Sequence, residues 1–200
     1  MDFREKINEH ILEYTDSTHT YLCDGELVPS ITQVMKLKFG GMYDGVPMAN
    51  VEKAREHGSA VHAAIEAWCE TGEVSEFQEV KNFQFLIKKY GFQVLKNEVP
   101  VILFADGIPI AAGRLDLVVS ENRGGVELMG LADIKCTATL HKEYLAYQLN
   151  LYRIAYQQCY NEQIAFLKGV HLKGEKIRKY VEIPINESLA WDLIEEYINE

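Results

Sequence analysis

The sequence predicts a mixed α/β domain in which a mixed central β-sheet is flanked by α-helices. Two observations carry that reading. Segments with helical spacing of apolar residues precede, interrupt and follow strand-like runs, and those runs include both alternating and continuously apolar stretches, as in a sheet with at least one well-covered face. No repeat, low-complexity tract or linker divides the 200 residues, so residues 1–200 read as one domain. At 48% hydrophobic residues, the chain has enough apolar surface for a real core.

The elements follow in order. A short amphipathic start leads into HTYLCDGELVPSIT, where Asp24-Gly25 between alternating apolar and polar residues reads as a hairpin turn. Ser30 reads as the cap of a helix in SITQVMKLKF, and the Gly-rich GGMYDGVPMAN suits either a mobile loop near a site or a connector. NVEKAREHGSAVHAAIEAWCETG reads as a helix capped by Asn50 and ended by Gly72, with Ala54, Val61, Ile65 and Trp68 as its apolar stripe. Ser75 and Gln78 have capping-box spacing at the head of a second helix, which Gly91 closes. Strands follow in FQVLKNEVPVILFADGIPIAAGRLDLVVS and, after a turn at ENRGG, in VELMGLADIKCT. KEYLAYQLNLYRIAYQQCY returns to helical spacing, QIAFLKGVHL and KIRKYVEIPI read as a hairpin, and Asn186 is placed to cap a last helix.

Composition narrows the function classes. A net charge of −10 argues against nucleic-acid binding through bulk electrostatics. Charge is uneven, however: LKGVHLKGEKIRKY carries Lys168, Lys173, Lys176, Arg178 and Lys179, and fits either a basic strip on an acidic body or a hairpin edge protected by lysines. The four cysteines lack CxxC spacing and read as reduced thiols rather than a zinc or disulfide framework. A charged start, and no apolar run near the roughly 20 residues that span a bilayer, predict a cytoplasmic chain with no membrane partner.

Against that background, the charges in GRLDLVVSENRGGVELMGLADIKCT stand out. Side chains alternate along a strand, so Asp133 and Lys135 share one face, as do Arg114, Asp116 and Val118. Paired strands lie roughly 4.8 Å apart, close enough for Asp116 and Asp133 to grip one cation, and the two carboxylates repel unless a cation or lysine intervenes. An acid-x-lysine triplet arises by chance about once in a chain of this length. Glu79-Val80-Lys81 is a second copy, which reads as a solvated helix face. Taken alone, the Asp133 triplet therefore fits a structural ion pair as readily as a site. Gly58, His62 and Glu66 lie on one helix ridge, with the glycine removing bulk where a backbone or ligand must come close. Gln148 and Tyr152 are spaced likewise, within a ladder of tyrosines that is also the ordinary pattern of a core face.

Together, GSAVHAAIE, GRLD, ADIK and YQLNLY, in that order, resemble the RecB-like branch of the PD-(D/E)XK nuclease superfamily, in particular its phage-type exonucleases. The likeness spans roughly residues 19 to 173 and includes HTYLCDGELVPSIT. It implies a restriction-endonuclease-like core. It further implies His62, Asp116, Asp133 and the Ile134 carbonyl as metal ligands, Lys135 as the catalytic lysine, and Glu66 as a further acid in the catalytic set. Gln148 and Tyr152 would lie near the substrate backbone, and Arg114 and Lys173 are expected DNA contacts.

Oxygen ligands with one imidazole suit Mg²⁺ or Mn²⁺ better than Zn²⁺. No iron–sulfur cluster is expected, because the three closely spaced C-terminal cysteines of the relatives that carry one are missing. The activity implied is metal-dependent hydrolysis of DNA phosphodiesters by an exonuclease of phage or prophage recombination type. A single-strand annealing or binding protein is a candidate partner, and homo-oligomerisation is one route to processivity. An endonuclease of the same fold, for restriction or junction resolution, and a catalytically inactive nucleic-acid-binding protein are the alternatives. No P-loop is present to drive unwinding.

Overall fold

The computed structural model describes residues 2–199 and is a mixed α/β structure. The described residues form six helices, a four-stranded antiparallel sheet and a five-stranded mixed sheet. The small sheet is a meander of β1 (Phe3–Ile7), β2 (His10–Thr15), β3 (Thr20–Cys23) and β4 (Glu26–Val28). Asp24 and Gly25 turn β3 into β4 with φ of 53° and 86°, as the hairpin reading requires. The amphipathic start is the hairpin β1–β2. Its first strand buries only Ile7, so it lacks the alternation that marks a strand in a sequence.

Ser30 caps α1 (Ile31–Val34) through a capping box with Gln33, and α2 (Lys36–Phe39) follows. The glycine-rich stretch connects α2 to α3 (Met48–Thr71). Its cap position is Pro47, and Asn50 lies inside the first turn. Val61 and Ile65 bury the stripe of α3 while Ala54 is exposed. α4 (Gln78–Tyr90) starts after Phe77, and the Ser75 hydroxyl accepts from the Phe77 amide instead of forming a capping box. Gly72 and Gly91 end the two helices in the left-handed conformation.

The large sheet has the order β5 (Gln93–Ala105), β6 (Ile108–Arg123), β7 (Val126–Lys135), β8 (Phe166–Lys173), β9 (Ile177–Ile183). All its pairs are antiparallel except β7–β8, which α5 (Lys142–Tyr160) joins as the crossover that parallel strands require. α6 (Glu187–Ile198), capped by Asn186, closes the described chain. One core cluster joins α5, α6 and the small sheet to one side of the large sheet, and a second packs α3 and α4 against Leu117, Val119, Ala132, Ile134 and Val170. The small sheet is anchored to β6 where the Ala112 amide donates to the Pro29 carbonyl at 2.9 Å, and this sets Tyr14 and Tyr21 beside the middle of the large sheet. No helix among the described residues is long and apolar enough to cross a membrane.

Candidate metal centre

The large sheet forks in its middle. β6 pairs with β7 from Arg123 to Leu117 and stops there, while Asp133, Ile134 and Lys135 continue along β8 alone. One residue past the Leu117–Ala132 pair, Asp116 and Asp133 therefore face each other across an open end of the ladder. Asp116 repairs part of that opening, because its Oδ2 accepts the Ile134 amide at 2.6 Å. From α3, His62 reaches the same gap: its Nε2 donates to the Ile134 carbonyl at 3.0 Å, and its Nδ1 lies 3.6 Å from Asp116 Oδ1.

A residue absent from the sequence reading completes the cluster. Glu98 sits in β5 between the pairs Asn97–Leu117 and Val99–Leu115, opposite Asp116. It has a φ of 50°, a left-handed conformation that a non-glycine residue adopts at a cost and that no other described non-glycine residue within a strand adopts. Glu98 Oε1 lies 3.9 Å from His62 Nδ1, and Oε2 accepts from Arg114 Nε at 2.7 Å. One ligand atom from each of His62, Glu98 and Asp116 falls within 4.8 Å of the others. The one local signal for Glu98 was an acid in an apolar strand, NEVPV, just upstream of the GRLD strand.

Asp133 and Lys135 share a face, as alternation requires, and Lys135 Nζ is 2.6 Å from Asp133 Oδ2. Burial and the Asp116 charge raise the Asp133 carboxyl to about 6 although Lys135 opposes the shift. Burial acts against charge on Lys135, but Asp133 and Asp116 outweigh it and raise its pKa. His62 behaves likewise: burial opposes its charge, yet Asp116 and Glu98 lift it to about 9. Asp116 is raised, chiefly by burial and against the pull of His62. Glu66, one turn beyond His62, is raised by burial and by the Glu98 charge. Lys135 and Arg114 pair with Asp133 and Glu98, and His62 lies beside Glu98 and Asp116.

A cleft of ≈ 720 Å³ opens on this cluster, with Tyr14 and Tyr21 of the small sheet on one wall and His62, Glu66, Arg114 and Asp116 among its other lining residues. Arg114 lies over the Tyr14 ring at 5.7 Å and is engaged by Glu98, so it shapes the cleft as well as facing it. A Cβ at Gly58 would meet nothing within 4 Å, so no backbone crowds that position and the ridge beside His62 is open.

Gln148 and Tyr152 are both buried in α5. A Cβ on Gly113 would lie 2.8 Å from the Tyr152 ring, so this glycine lets the tyrosine pack onto the GRLD strand. The Gln148 carbonyl oxygen is buried with no hydrogen-bond partner among the described residues, a costly state for a core amide. Lys173 ends β8 beside the Gly174 turn and is not among the residues lining the cleft.

The basic strip also divides. Lys168 is paired with Glu182 and Glu121, and the Arg178 guanidinium lies 3.9 Å over the Phe85 ring. No protein-family model and no curated protein matches the chain. Among solved structures it is similar to one titled "Crystal structure of SSO0001", with a TM-score of 0.47 and 16% identity, covering 86% of this chain and 75% of that one.

Proposed function

We propose that the chain is a divalent-metal-dependent deoxyribonuclease with a restriction-endonuclease-like core, acting as an exonuclease of phage or prophage recombination type. The observation that carries this reading is the fork between β6 and β7. It sets the His62 imidazole with two carboxylates at one ring nitrogen and the Ile134 main-chain carbonyl at the other, and leaves a lysine beside them.

The donor set fits a hard divalent cation, since oxygen ligands with one imidazole favour Mg²⁺ or Mn²⁺. His62, Glu98, Asp116 and the Ile134 carbonyl would hold it, with Asp133 across the fork. When bound, such an ion supplies Lewis acidity toward a phosphate and an activated water. The chain's own groups do the rest. Lys135 is held charged by Asp133 and offers an ammonium to the charge that develops on the phosphate oxygens. Asp133, itself buried, fixes the position of that ammonium. Arg114 orients Glu98 by its 2.7 Å contact.

On the α5 side, Lys38, Lys142 and Tyr144 line a second cavity of ≈ 500 Å³, and the charges of Lys135 and Asp133 both act on Tyr144. A phosphate backbone could thus run from the acidic cleft, neutralised by metal, toward lysines beyond the fork.

The test is Mg²⁺- or Mn²⁺-dependent degradation of end-labelled linear duplex beside a covalently closed circle, for wild type and Lys135→Ala. Degradation of the linear DNA only, and by wild type only, is the expected result. Cutting of the circle would make the enzyme an endonuclease. Metal-independent DNA binding with neither substrate cut would overturn the nuclease reading in favour of a binding protein.

A further inference from the structure

The small sheet carries a second cluster of ligating side chains where β3 turns into β4, with Cys23 two residues along β3 from Tyr21 and none of the three lining the cleft. His10 opens β2, Cys23 ends β3, and Asp24 begins the turn into β4. One ligand atom from each lies within 4.8 Å of the other two. The carboxylate of Asp24 is already oriented, since Oδ1 accepts the Ile11 amide at 2.8 Å and Oδ2 accepts from His10 Nδ1 at 2.6 Å.

The thiol is the telling member. Cys159 is buried too, but its sulfur accepts from the Ile102 amide and donates to the Ile102 carbonyl. Cys23 is 3% exposed and, like buried Cys136, has no hydrogen bond to its sulfur among the described residues, but of the two only Cys23 is grouped with an imidazole and a carboxylate. It is a buried polar group aimed at an imidazole and a carboxylate. Those two are half-buried and exposed, so an ion has a path in from solvent.

We propose that His10, Cys23 and Asp24 form a zinc-binding site, distinct from the cleft, with an open fourth position. Thiolate, imidazole and carboxylate are the ligand types zinc takes in tetrahedral sites, whereas the thiolate disfavours Mg²⁺. One thiolate and one carboxylate balance the charge of the ion. Binding releases the Cys23 thiol proton to solvent, so affinity rises with pH. The ion would tie the β3–β4 turn to the start of β2, where the His10 ring also packs 5.1 Å from Phe104 of β5, and so brace the sheet that forms one wall of the cleft. Cysteine spacing gave no sign of this, because the three ligands come from two turn ends rather than from one CxxC element.

The test uses metal-free full-length protein titrated with Co²⁺ and followed through the near-ultraviolet thiolate-to-cobalt charge-transfer band, with Zn²⁺ then added to displace it. Wild type, Cys159→Ser and His62→Ala should show the band, and Cys23→Ser should lose it. Asp24→Asn, at an exposed turn and able to keep the Ile11 hydrogen bond, should weaken Zn²⁺ binding by at least about tenfold while the chain stays folded. Absence of a thiolate band in wild type, a band that survives Cys23→Ser, or unchanged Zn²⁺ affinity in Asp24→Asn would overturn the site. None of these readouts depends on DNA cleavage.

Discussion

The chain carries an acid-x-lysine triplet twice, in α4 as Glu79-Val80-Lys81 and in β7 as Asp133-Ile134-Lys135, and the two copies lie in opposite electrostatic settings. Both acids are buried, at 5% and 3% exposure, so burial does not separate them. Glu79 does not lie on the solvated helix face expected of it. Its Oε1 accepts from the Gly174 amide at 2.9 Å and from His57 Nε2 at 3.2 Å. Burial raises its pKa, but those donors outweigh it and leave the carboxyl below its ordinary value. Lys81 plays no part, since residues two apart on a helix point to different sides, and it lies 3.8 Å from exposed Glu76. In β7 the same spacing puts acid and lysine on one face, and burial together with the second carboxylate opposite raises the acid to about 6 against the pull of that lysine. A buried acid whose donors satisfy it is structural. One left with a raised pKa beside a second carboxylate marks a candidate functional site.

The largest effect should separate the two lysines. Lys135→Ala is expected to lower the cleavage rate by about 10²–10³-fold, the usual effect of removing one preorganised donor from a developing oxyanion. Lys81→Ala should leave the rate unchanged. Equal losses in single-turnover cleavage would erase the distinction.

Glu98 sharpens the same contrast from the ligand side. Glu98→Gln keeps the size and can still receive Arg114 while removing one of the carboxylate charges within reach of His62. The Mg²⁺ concentration for half-maximal cleavage should rise at least about tenfold. An unchanged Mg²⁺ dependence would leave Glu98 as a holder of Arg114 only.

Glu79 gives the structural counterpart. Its folded pKa lies below the ordinary 4.5, so its charge stabilises the fold fully above that value and the contribution fades as pH falls through the folded pKa. Glu79→Gln should therefore lower stability by about 1 kcal/mol at neutral pH, the difference between charged and neutral hydrogen bonds. The gap should close below pH 4.5. Urea midpoints of the two proteins across pH measure it, and a gap that widens in acid would reverse the assignment.

These contrasts also show what a sequence exposes. The Asp24-Gly25 turn and the ends of α3 and α4 at Gly72 and Gly91 were legible, because left-handed positions select glycine or short polar residues locally. The β6–β7 pairing that sets Asp116 against Asp133 was legible from alternation and a glycine turn. Glu79 was not, since its donor lies 95 residues away in the β8–β9 turn. Glu98 was not, because its place depends on a left-handed residue inside a strand and on register with β6. The starts of α3 and α4 at Pro47 and Phe77 carry no side-chain cap, and Asn50 and Ser75 attracted the assignment instead.

The smallest effect concerns the ridge that presents His62. Glycine inside an exposed helix turn costs about 1 kcal/mol relative to alanine, and a Cβ at Gly58 would meet no atom within 4 Å. Gly58→Ala should accordingly raise stability by up to about 1 kcal/mol, seen as a Tm higher by about 2–4 °C. Gly58 lies one turn before His62 on the same ridge, so under the nuclease reading the open space is where a DNA backbone passes the centre. The added methyl should then raise KM for DNA while leaving kcat unchanged, because it crowds binding without touching the reacting groups. A variant that gains stability and keeps its KM would show that DNA approaches from elsewhere, and the tyrosine-lined wall of the cleft would be the next surface to alter.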